Sequence, residues 1–338
     1  MVAIGVFAAC AGKQPGSSNA VDSGNGETGT DSGGDVPVVG TGPYFHEPMF
    51  WNRDVSSAPK AANSAATIAA LKAAGGWGHD RLEIDFTIEV LSADANTTMR
   101  TFTKNANFYS PDCDHVAVPV PPNGNLEGEA GYACTTGGDC HLIVHNSATG
   151  TLYEMWKANI GTSSFSGGCL VVWDTAKTYG DTLRGEQCTS ADAAGFPIAP
   201  LLFTADEVAA GTIDHAIRFI LPNDRVQRGY VRPATHGTDT TGGSKAPPYG
   251  VQLRLRADYP IQSLPSEGAR VVARAMQKYG MYHADGGIVA LTAQSDRHTT
   301  AKWNGLLGAR DLQAIRVEDF DVIDHGGMIT LTYDCSRN

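Results

Sequence analysis

Residues 81–90 read Arg-Leu-Glu-Ile-Asp-Phe-Thr-Ile-Glu-Val, a strict alternation of polar and apolar side chains. Because successive side chains of a β-strand point to opposite faces, this period of two predicts a strand with one apolar and one acidic face. The acidic face carries three carboxylates, Glu83, Asp85 and Glu89. The run therefore predicts a sheet that buries one face and presents negative charge on the other.

The rest of the chain shows similar patterns in shorter pieces, separated by Gly, Pro and Asn. Helices are expected at residues 59–74, after the cap residues Thr204 and Ser266, and at residues 306–315. Strand patterns outnumber helical ones, and βαβ alternation is missing. The sequence predicts a mainly β fold, an antiparallel β-sandwich of the jelly-roll type with a few peripheral helices. Further strands are expected at residues 115–120, 140–145, 151–156, 170–173, 215–221, 251–256, 288–293 and 328–333.

The composition of the chain limits its possible partners. Its 338 residues are 42% hydrophobic and 18% charged, which is enough apolar material for a substantial core. With 25 basic and 36 acidic residues the formal net charge is −11, whereas a nucleic-acid binder normally carries a basic stripe. No nucleic-acid partner is therefore expected. No apolar run approaches the roughly 18 residues of a membrane-spanning helix, so membrane contact is expected only through a lipid anchor.

The first residues predict export. Residues 1–9 are apolar and small and are followed by Cys10, which resembles the end of a signal peptide that meets a lipobox, the site where bacterial lipoproteins are acylated. An ordinary apolar N-terminus is the alternative. We predict a signal peptide with its lipobox at 1–10, a Gly-, Ser- and Asp-rich linker at 11–43, and a single disulfide-stabilised domain at 44–338. The expected location is the outer surface or the extracellular space.

The cysteines other than Cys10 are even in number, as expected of disulfides in an oxidising compartment. Two pairs flank short segments, so we expect Cys134 to bond Cys140 and Cys169 to bond Cys188, which leaves Cys113 for Cys335. A metal site is the rival interpretation, but neither C-x-x-C nor H-E-x-x-H occurs. No cofactor is predicted, and calcium stays open because no EF-hand-like ligand order is present.

The acidic strand face offers one candidate catalytic group. Glycosidases place two carboxylates across the scissile bond, and crowding raises the pKa of one of them so that it can act as an acid. Glu83, Asp85 and Glu89 could supply such a pair. The alternative is a solvated acidic face on an edge strand.

Asp139 and His141 form a second candidate catalytic group. Their spacing of two places them on one strand face, where a carboxylate could orient the imidazole as a base or ligand. The expected disulfide at Cys140 would hold them rigid. The alternative is a turn cap or a structural hydrogen bond.

Candidate binding residues are two arginines and two tryptophans. Arg254 and Arg256 share a predicted strand face and could grip a carboxylate or sulfate, or else pair with the acidic strand. Trp156 and Trp173 could stack on a sugar, or else lie in the core. The irregular segment 189–197 is a further candidate, because loops on a sandwich often carry function.

Two resemblances bear on function. The run Glu83-Ile84-Asp85-Phe86-Thr87-Ile88-Glu89 is similar, with one additional residue, to the E-x-D-x-x-E signature of laminarinase-type β-sandwich glycoside hydrolases, which implies Glu83 as nucleophile and Glu89 as acid/base. The chain also resembles an uncharacterised family of secreted bacterial proteins and lipoproteins, which implies one secreted domain but no activity. The resembling stretches are residues 109–114, 140–144, 189–200, 206–208, 215–219 and 279–281.

The sequence as a whole favours an extracellular carbohydrate-active protein that cleaves glycosidic bonds, either as a hydrolase or as a lyase on uronate polymers. Its expected partner is a polysaccharide or a cell-surface glycan. The alternative is a non-catalytic secreted surface protein that binds glycan or builds an extracellular assembly.

Overall fold

The computed structural model describes residues 44–338, which are mainly β with few helices, as the sequence predicts. These residues form one compact unit. Cys10 and the predicted segments 1–10 and 11–43 lie outside the described residues. Within the described part of the chain, no helix is both long and apolar enough to cross a membrane.

The strands are short, and most end at a turn or bend. In chain order they are β1 (Ile84–Ile88), β2 (Val90–Ala93), β3 (Met99–Arg100), β4 (Thr103–Lys104), β5 (Val118–Pro119), β6 (Leu142–Asn146), β7 (Thr151–Trp156), β8 (Asn159–Ile160), β9 (Phe165–Gly167), β10 (Cys169–Asp174), β11 (Gly185–Glu186), β12 (Ile217–Leu221), β13 (Gln252–Leu255), β14 (Met281–Gly286), β15 (Leu291–Gln294), β16 (Phe320–Val322) and β17 (Ser336–Arg337).

The described residues form three α-helices: α1 (Ser64–Ala73), α2 (Ala205–Ala210) and α3 (Glu267–Lys278). The Thr204 hydroxyl caps α2, and the Ser266 hydroxyl caps α3 by accepting from the Ala269 N–H at 3.1 Å. The helix predicted at 306–315 is wrong, because this stretch forms turns. The Asp311 carboxylate accepts from the Gly308 N–H at 3.1 Å, and such a side-chain bond to the backbone competes with helix formation.

Two principal sheets share one core. The larger has the order β1-β15-β12-β14-β13-β16, and the smaller has the order β10-β7-β6-β2. Both are mixed: β1 pairs β15, β12 pairs β14 and β2 pairs β6 in parallel, and the other pairs are antiparallel. The main core takes apolar side chains from both sheets. A second core lies on the other side of the four-stranded sheet, under the shortest strands.

The acidic strand predicted at residues 81–90 is divided into two strands. It is predicted as one strand over 81–90, but β1 ends at Ile88 and β2 begins at Val90, and the two belong to different sheets. Glu89 lies at the break with its side chain buried, where its Oε1 is 2.6 Å from His298 Nε2 and its Oε2 is 3.1 Å from Arg297 Nε. Burial of this charged group interrupts the expected polar face.

The strand predicted at 328–333 is also wrong. Only a bridge between Ile329 and Tyr230 forms there. The Gln187 side chain donates to the Thr330 carbonyl and accepts from the Thr332 N–H, at 3.0 and 2.8 Å, so a side chain takes the place of a neighbouring strand.

Three disulfides join the six described cysteines. The predicted pair Cys134–Cys140 is confirmed, whereas Cys169–Cys188 and Cys113–Cys335 are wrong. The observed pairs are Cys113–Cys169 and Cys188–Cys335. Proximity along the chain misleads here because the Asp114 N–H donates to Leu170 in β10, and β11 pairs with β17, which brings distant cysteines together. Three disulfides indicate an oxidising, extracellular environment.

Candidate functional site

A cleft of about 720 Å³ opens at the end of β14, between the loop after Cys188 and the C-terminal segment. Its volume lies within the roughly 300–1,000 Å³ of small-ligand sites. Of its lining residues in the described part of the chain, none is Lys or Arg. The lining includes four aspartates and four tyrosine or tryptophan side chains, which suits a polar ligand that has flat apolar faces. They are Asp112, Asp139, Asp239 and Asp285, and Tyr109, Trp156, Tyr249 and Tyr333.

A bulge in β14 directs Asp285 to the cleft. Arg218 of β12 pairs with Tyr282, but two residues later Ile220 pairs with Asp285, so β14 has one extra residue. Regular alternation would place Asp285 on the face of His283, and the extra residue moves it to the face of Arg218. The Ala284 carbonyl of the bulge accepts from the Ala194 N–H at 2.8 Å, which ties the strand to the predicted functional loop.

The residue that follows Asp285 has little space beside it. A Cβ at Gly286 would collide with the Asn223 side-chain oxygen, so glycine lets the backbone approach the cleft wall closely. The Gly286 N–H donates to Asp285 Oδ1 at 2.7 Å. The backbone N–H of Gly286 therefore helps to orient the Asp285 carboxyl in the cleft.

The environment of Asp285 favours its protonated form. Its side chain is 23% exposed and is enclosed mainly by protein. Burial, together with the negative charge of Asp192, raises the pKa of Asp285 well above its ordinary value and outweighs the attraction of Arg218. A carboxyl with a raised pKa keeps its proton to higher pH than an ordinary aspartate, which is the property that a general acid needs.

Arg218 and Asp192 form a buried ion pair behind Asp285. The Asp192 side chain is fully buried, and Arg218 donates to it through Nη2 and Nε at 2.8 and 3.2 Å. Arg218 Nη1 donates to Thr292 Oγ1 at 2.7 Å, and Nη2 lies 3.7 Å from Asp285. Burial lowers the pKa of Arg218, but Asp192 raises it above its ordinary value, so the guanidinium stays charged.

Removing Arg218 should destabilise the fold. Arg218→Met is expected to lower the free energy of unfolding by about 3 kcal/mol, because it leaves Asp192 buried without its partner. Denaturant unfolding at neutral pH measures the change. Arg270→Ala is the control, because its ion pair with Glu267 lies on the surface and contributes roughly 0–1 kcal/mol. Equal losses in the two variants would contradict the assignment.

On another wall of the cleft, two sequence-predicted residues are in contact. Trp156 Nε1 donates to Asp139 Oδ1 at 2.8 Å, and Lys157 Nζ lies 3.6 Å from the same oxygen. Burial raises the pKa of Asp139, but the positive charge of His141 and the bond from Trp156 outweigh it and hold the pKa below its ordinary value. The surroundings therefore shift the pKa values of the two carboxyls in opposite directions, that of Asp139 down and that of Asp285 up.

His141 lies beneath Asp139 and is almost fully buried. Its Nδ1 is 2.6 Å from Glu127 Oε2, and its Nε2 is 3.0 Å from the Ala191 carbonyl. Burial lowers the pKa of His141, but the charge of Glu127 outweighs it and raises the pKa to about 9. Since both nitrogens face acceptors, both donate, and this geometry offers no lone pair to a substrate or metal. The imidazolium instead keeps Asp139 ionised.

A second histidine, His236, lines the cleft itself and is neutral at pH 7. Burial lowers the pKa of His236, and its Nδ1 lies 2.9 Å from the Ala193 carbonyl. Nδ1 therefore donates, and the Nε2 lone pair is an acceptor for a ligand hydroxyl.

The structure separates the carboxylates of the acidic strand from the cleft lining. Glu83 pairs at the surface with His79 and Arg310, at 2.8 and 3.2 Å. Asp85 is half-buried opposite Thr292, on the sheet face of Arg218, and burial raises its pKa. Glu89 is held by His298 and Arg297, as described above. Of the three, only Asp85 is near the buried charges behind the cleft.

Three predicted binding residues also lie outside the cleft lining. Arg254 Nη1 donates to three backbone carbonyls of the segment 55–58, at 2.6, 3.0 and 2.9 Å. Arg256 donates to the Glu318 carbonyl at 2.7 Å. Trp173 is fully buried in the main core, with its Nε1 donating to Glu154 at 3.0 Å. Each of these side chains holds together parts of the fold.

Sequence reasoning missed Asp285, His236 and the tyrosines of the cleft. A signal for Asp285 exists in Asp285-Gly286-Gly287 at the end of a buried strand, where paired glycines permit close backbone approach. The bulge that points Asp285 to the cleft leaves no such signal, because it depends on pairing with β12.

Two clusters of possible metal ligands occur within residues 44–338, and each consists of one carboxylate and one disulfide. Asp112 lies by Cys188–Cys335, and Glu129 lies by Cys134–Cys140. Cysteine binds metal as a thiolate, which a disulfide does not offer. We assign no metal to either cluster.

Comparison of the chain with protein-family models, curated proteins and solved structures finds no match.

Proposed function

We propose that the protein hydrolyses glycosidic bonds of an extracellular glycan in this cleft. The observation that carries the proposal is one cleft lined by two carboxyl groups whose surroundings shift their pKa values in opposite directions, that of Asp285 up and that of Asp139 down. Glycoside hydrolysis needs this division into acid and base. The aromatic rings of the lining supply flat apolar surfaces on which sugars stack.

In the proposed reaction Asp285 donates its proton to the leaving-group oxygen as the bond from that oxygen to the anomeric carbon breaks. Asp139 accepts a proton from a water molecule, whose oxygen forms the new bond to the anomeric carbon. Both described contacts of the Asp139 carboxylate fall on Oδ1, which leaves Oδ2 to accept the proton. Burial and the charge of Asp192 raise the pKa of Asp285, and the charge of His141 lowers the pKa of Asp139.

Hydrolysis fits the cleft better than β-elimination on uronates does. A lyase needs a positive group that neutralises the uronate carboxylate beside the abstracted proton. Arg254, the residue that the sequence suggests for this purpose, is bound to backbone carbonyls outside the cleft lining. We therefore favour the hydrolase over the lyase.

Export fits this function. Disulfides indicate an extracellular environment, and we propose that Cys10 carries a lipid that attaches the domain to the outer surface, with 11–43 as the tether. Radiolabelled palmitate incorporation into the wild type and into Cys10→Ala tests the anchor.

Activity should show a broad bell-shaped pH dependence. It falls as pH rises through the raised pKa of Asp285, because the acid loses its proton, and it falls as pH drops through the lowered pKa of Asp139, because the base gains one. Values of kcat/KM measured across pH show both limbs of the profile. A single limb with an ordinary Asp pKa would contradict the pairing.

The deciding experiment is an assay of reducing-sugar release and of ultraviolet absorbance on neutral and acidic polysaccharides. We expect reducing sugar without absorbance. Absorbance from unsaturated uronate would assign a lyase instead. Binding without product in the folded, disulfide-bonded protein would favour the non-catalytic glycan binder.

A further inference from the structure

Tyr333 occupies an unusual place at the mouth of the cleft. Its backbone φ of 66° lies in the left-handed region, which residues with a large side chain rarely adopt. Its side chain is nevertheless 44% exposed and lines the cleft. Strained backbone that presents an exposed ring to a cleft is characteristic of ligand-binding positions.

The ring of Tyr333 is held in place from two sides. The guanidinium of Arg228 lies 5.6 Å from the ring centroid, and Arg228 is fixed by Asp239 at 2.8 Å. The His236 ring is at 5.5 Å and an angle of 62°. The exposed ring is therefore ordered before any ligand arrives, which lowers the entropic cost of binding.

The backbone at Tyr333 is anchored as well. Thr332 is hydrogen-bonded to Gln187 at 2.8 Å, and Cys335 is bonded to Cys188, whose neighbour Thr189 lines the cleft. The disulfide thus connects two walls of the same site.

The charges of the cleft restrict its ligand. The lining has four aspartates and, within the described residues, no Lys or Arg. The two cations beside the lining are already paired, Lys157 with Asp139 at 3.6 Å and Arg228 with Asp239 at 2.8 Å. A uronate carboxylate would have to compete with these aspartates for the cations, and like charges at close range disfavour binding. A neutral sugar offers hydroxyls to these acceptors and an apolar face to the rings.

We propose that Tyr333 is the stacking platform of a sugar-binding subsite and that the cleft selects neutral glycans over uronate-bearing ones. The inference takes its ligand class, a glycan, from the proposed function, but binding at this subsite does not require cleavage. Tyr109, 50% exposed, and Trp156 are further aromatic rings of the lining.

Calorimetric titration with the Asp285→Asn protein, which leaves the ligand intact, tests the subsite. The probes are neutral oligosaccharides of β-1,4- and β-1,3-linked glucose, mannose and xylose, and an oligogalacturonate of equal length. We expect at least one neutral probe to bind and the oligogalacturonate to bind at least tenfold more weakly. Adding Tyr333→Ala should weaken neutral binding about tenfold, whereas Tyr333→Phe should retain it.

Met328→Ala is the matched control, because Met328 is exposed in the same segment but outside the cleft lining. Unchanged affinity in Tyr333→Ala, equal binding of the oligogalacturonate, or no binding of any neutral probe would overturn the inference. Tyr333-dependent binding in a protein that cleaves none of the glycans would contradict the proposed hydrolysis but not the subsite. Cleavage by Tyr333→Ala with an unchanged KM would contradict the subsite but not the proposed hydrolysis.

Discussion

Asp285→Asn is expected to lower kcat/KM for glycan hydrolysis by about 10²- to 10⁴-fold, the usual contribution of a positioned general acid. The amide keeps the shape of the carboxyl but has no proton to donate to the leaving oxygen. The alkaline limb of the pH profile should disappear with the carboxyl. Initial rates of reducing-sugar release across pH measure both effects.

The same substitution should leave stability unchanged or raise it. A carboxyl whose folded pKa lies above its unfolded value destabilises the fold at every pH where the unfolded group is ionised, so a neutral amide removes that cost at neutral pH. Lost activity in a protein that unfolds no more easily than wild type therefore separates catalysis from folding.

Two controls complete this test. Glu83→Gln removes a carboxylate that the sequence alone suggests as nucleophile but that the structure places in surface ion pairs. Asp258→Asn removes an exposed carboxylate beside Arg256. Both should keep wild-type rates. A large loss in Glu83→Gln with normal Asp285→Asn activity would move the site to the acidic strand.

Loss of the Cys188–Cys335 disulfide is expected to be the largest single change in stability. It links residues 147 apart, and the loop-closure entropy of a link that long is worth about 5 kcal/mol. The paired substitution Cys188→Ser with Cys335→Ser should lower the free energy of unfolding by roughly that amount. Denaturant unfolding without reductant measures it.

The matched control is the pair Cys134→Ser with Cys140→Ser. This disulfide spans a separation of 6, for which the same relation gives about 2 kcal/mol. The Glu129 carboxylate also holds this loop, by accepting from the backbone of Thr135 and Thr136 at 2.7 and 2.8 Å. A loss as large as that for the longer link would contradict the loop-length account.

Local sequence patterns predict where strands form better than they predict which strands pair with each other. The alternation in residues 81–90 correctly indicates a strand, but it does not say that the chain changes sheets at Glu89. Parallel pairing of β1 with β15 joins residues some 200 positions apart in the chain, such as Asp85 and Thr292. Such pairing depends on the shared core and not on either segment.

The site shows the same division. Asp139 and Trp156 are predicted separately and meet because β6 and β7 pair. The sequence pattern does not predict Asp285 as a site residue, because its orientation depends on a bulge. Regular alternation along β14 would place its side chain on the same sheet face as His283. Period two shows which residues share a face, but it does not show what covers that face. For this reason the alternating pattern predicts Arg254 as a binding residue, whereas in the structure its side chain is bound to backbone carbonyls of the segment 55–58.

Central to the proposed function are two carboxyls of one cleft with oppositely shifted pKa values, that of Asp285 raised and that of Asp139 lowered. Carbon-13 NMR titration of protein labelled at the aspartate carboxyls tests this difference without a substrate, with Asp285→Asn and Asp139→Asn assigning the two signals. The account predicts that the Asp285 signal titrates well above, and the Asp139 signal below, the ordinary aspartate pKa of about 3.9. Two signals that both titrate at the ordinary value would contradict it.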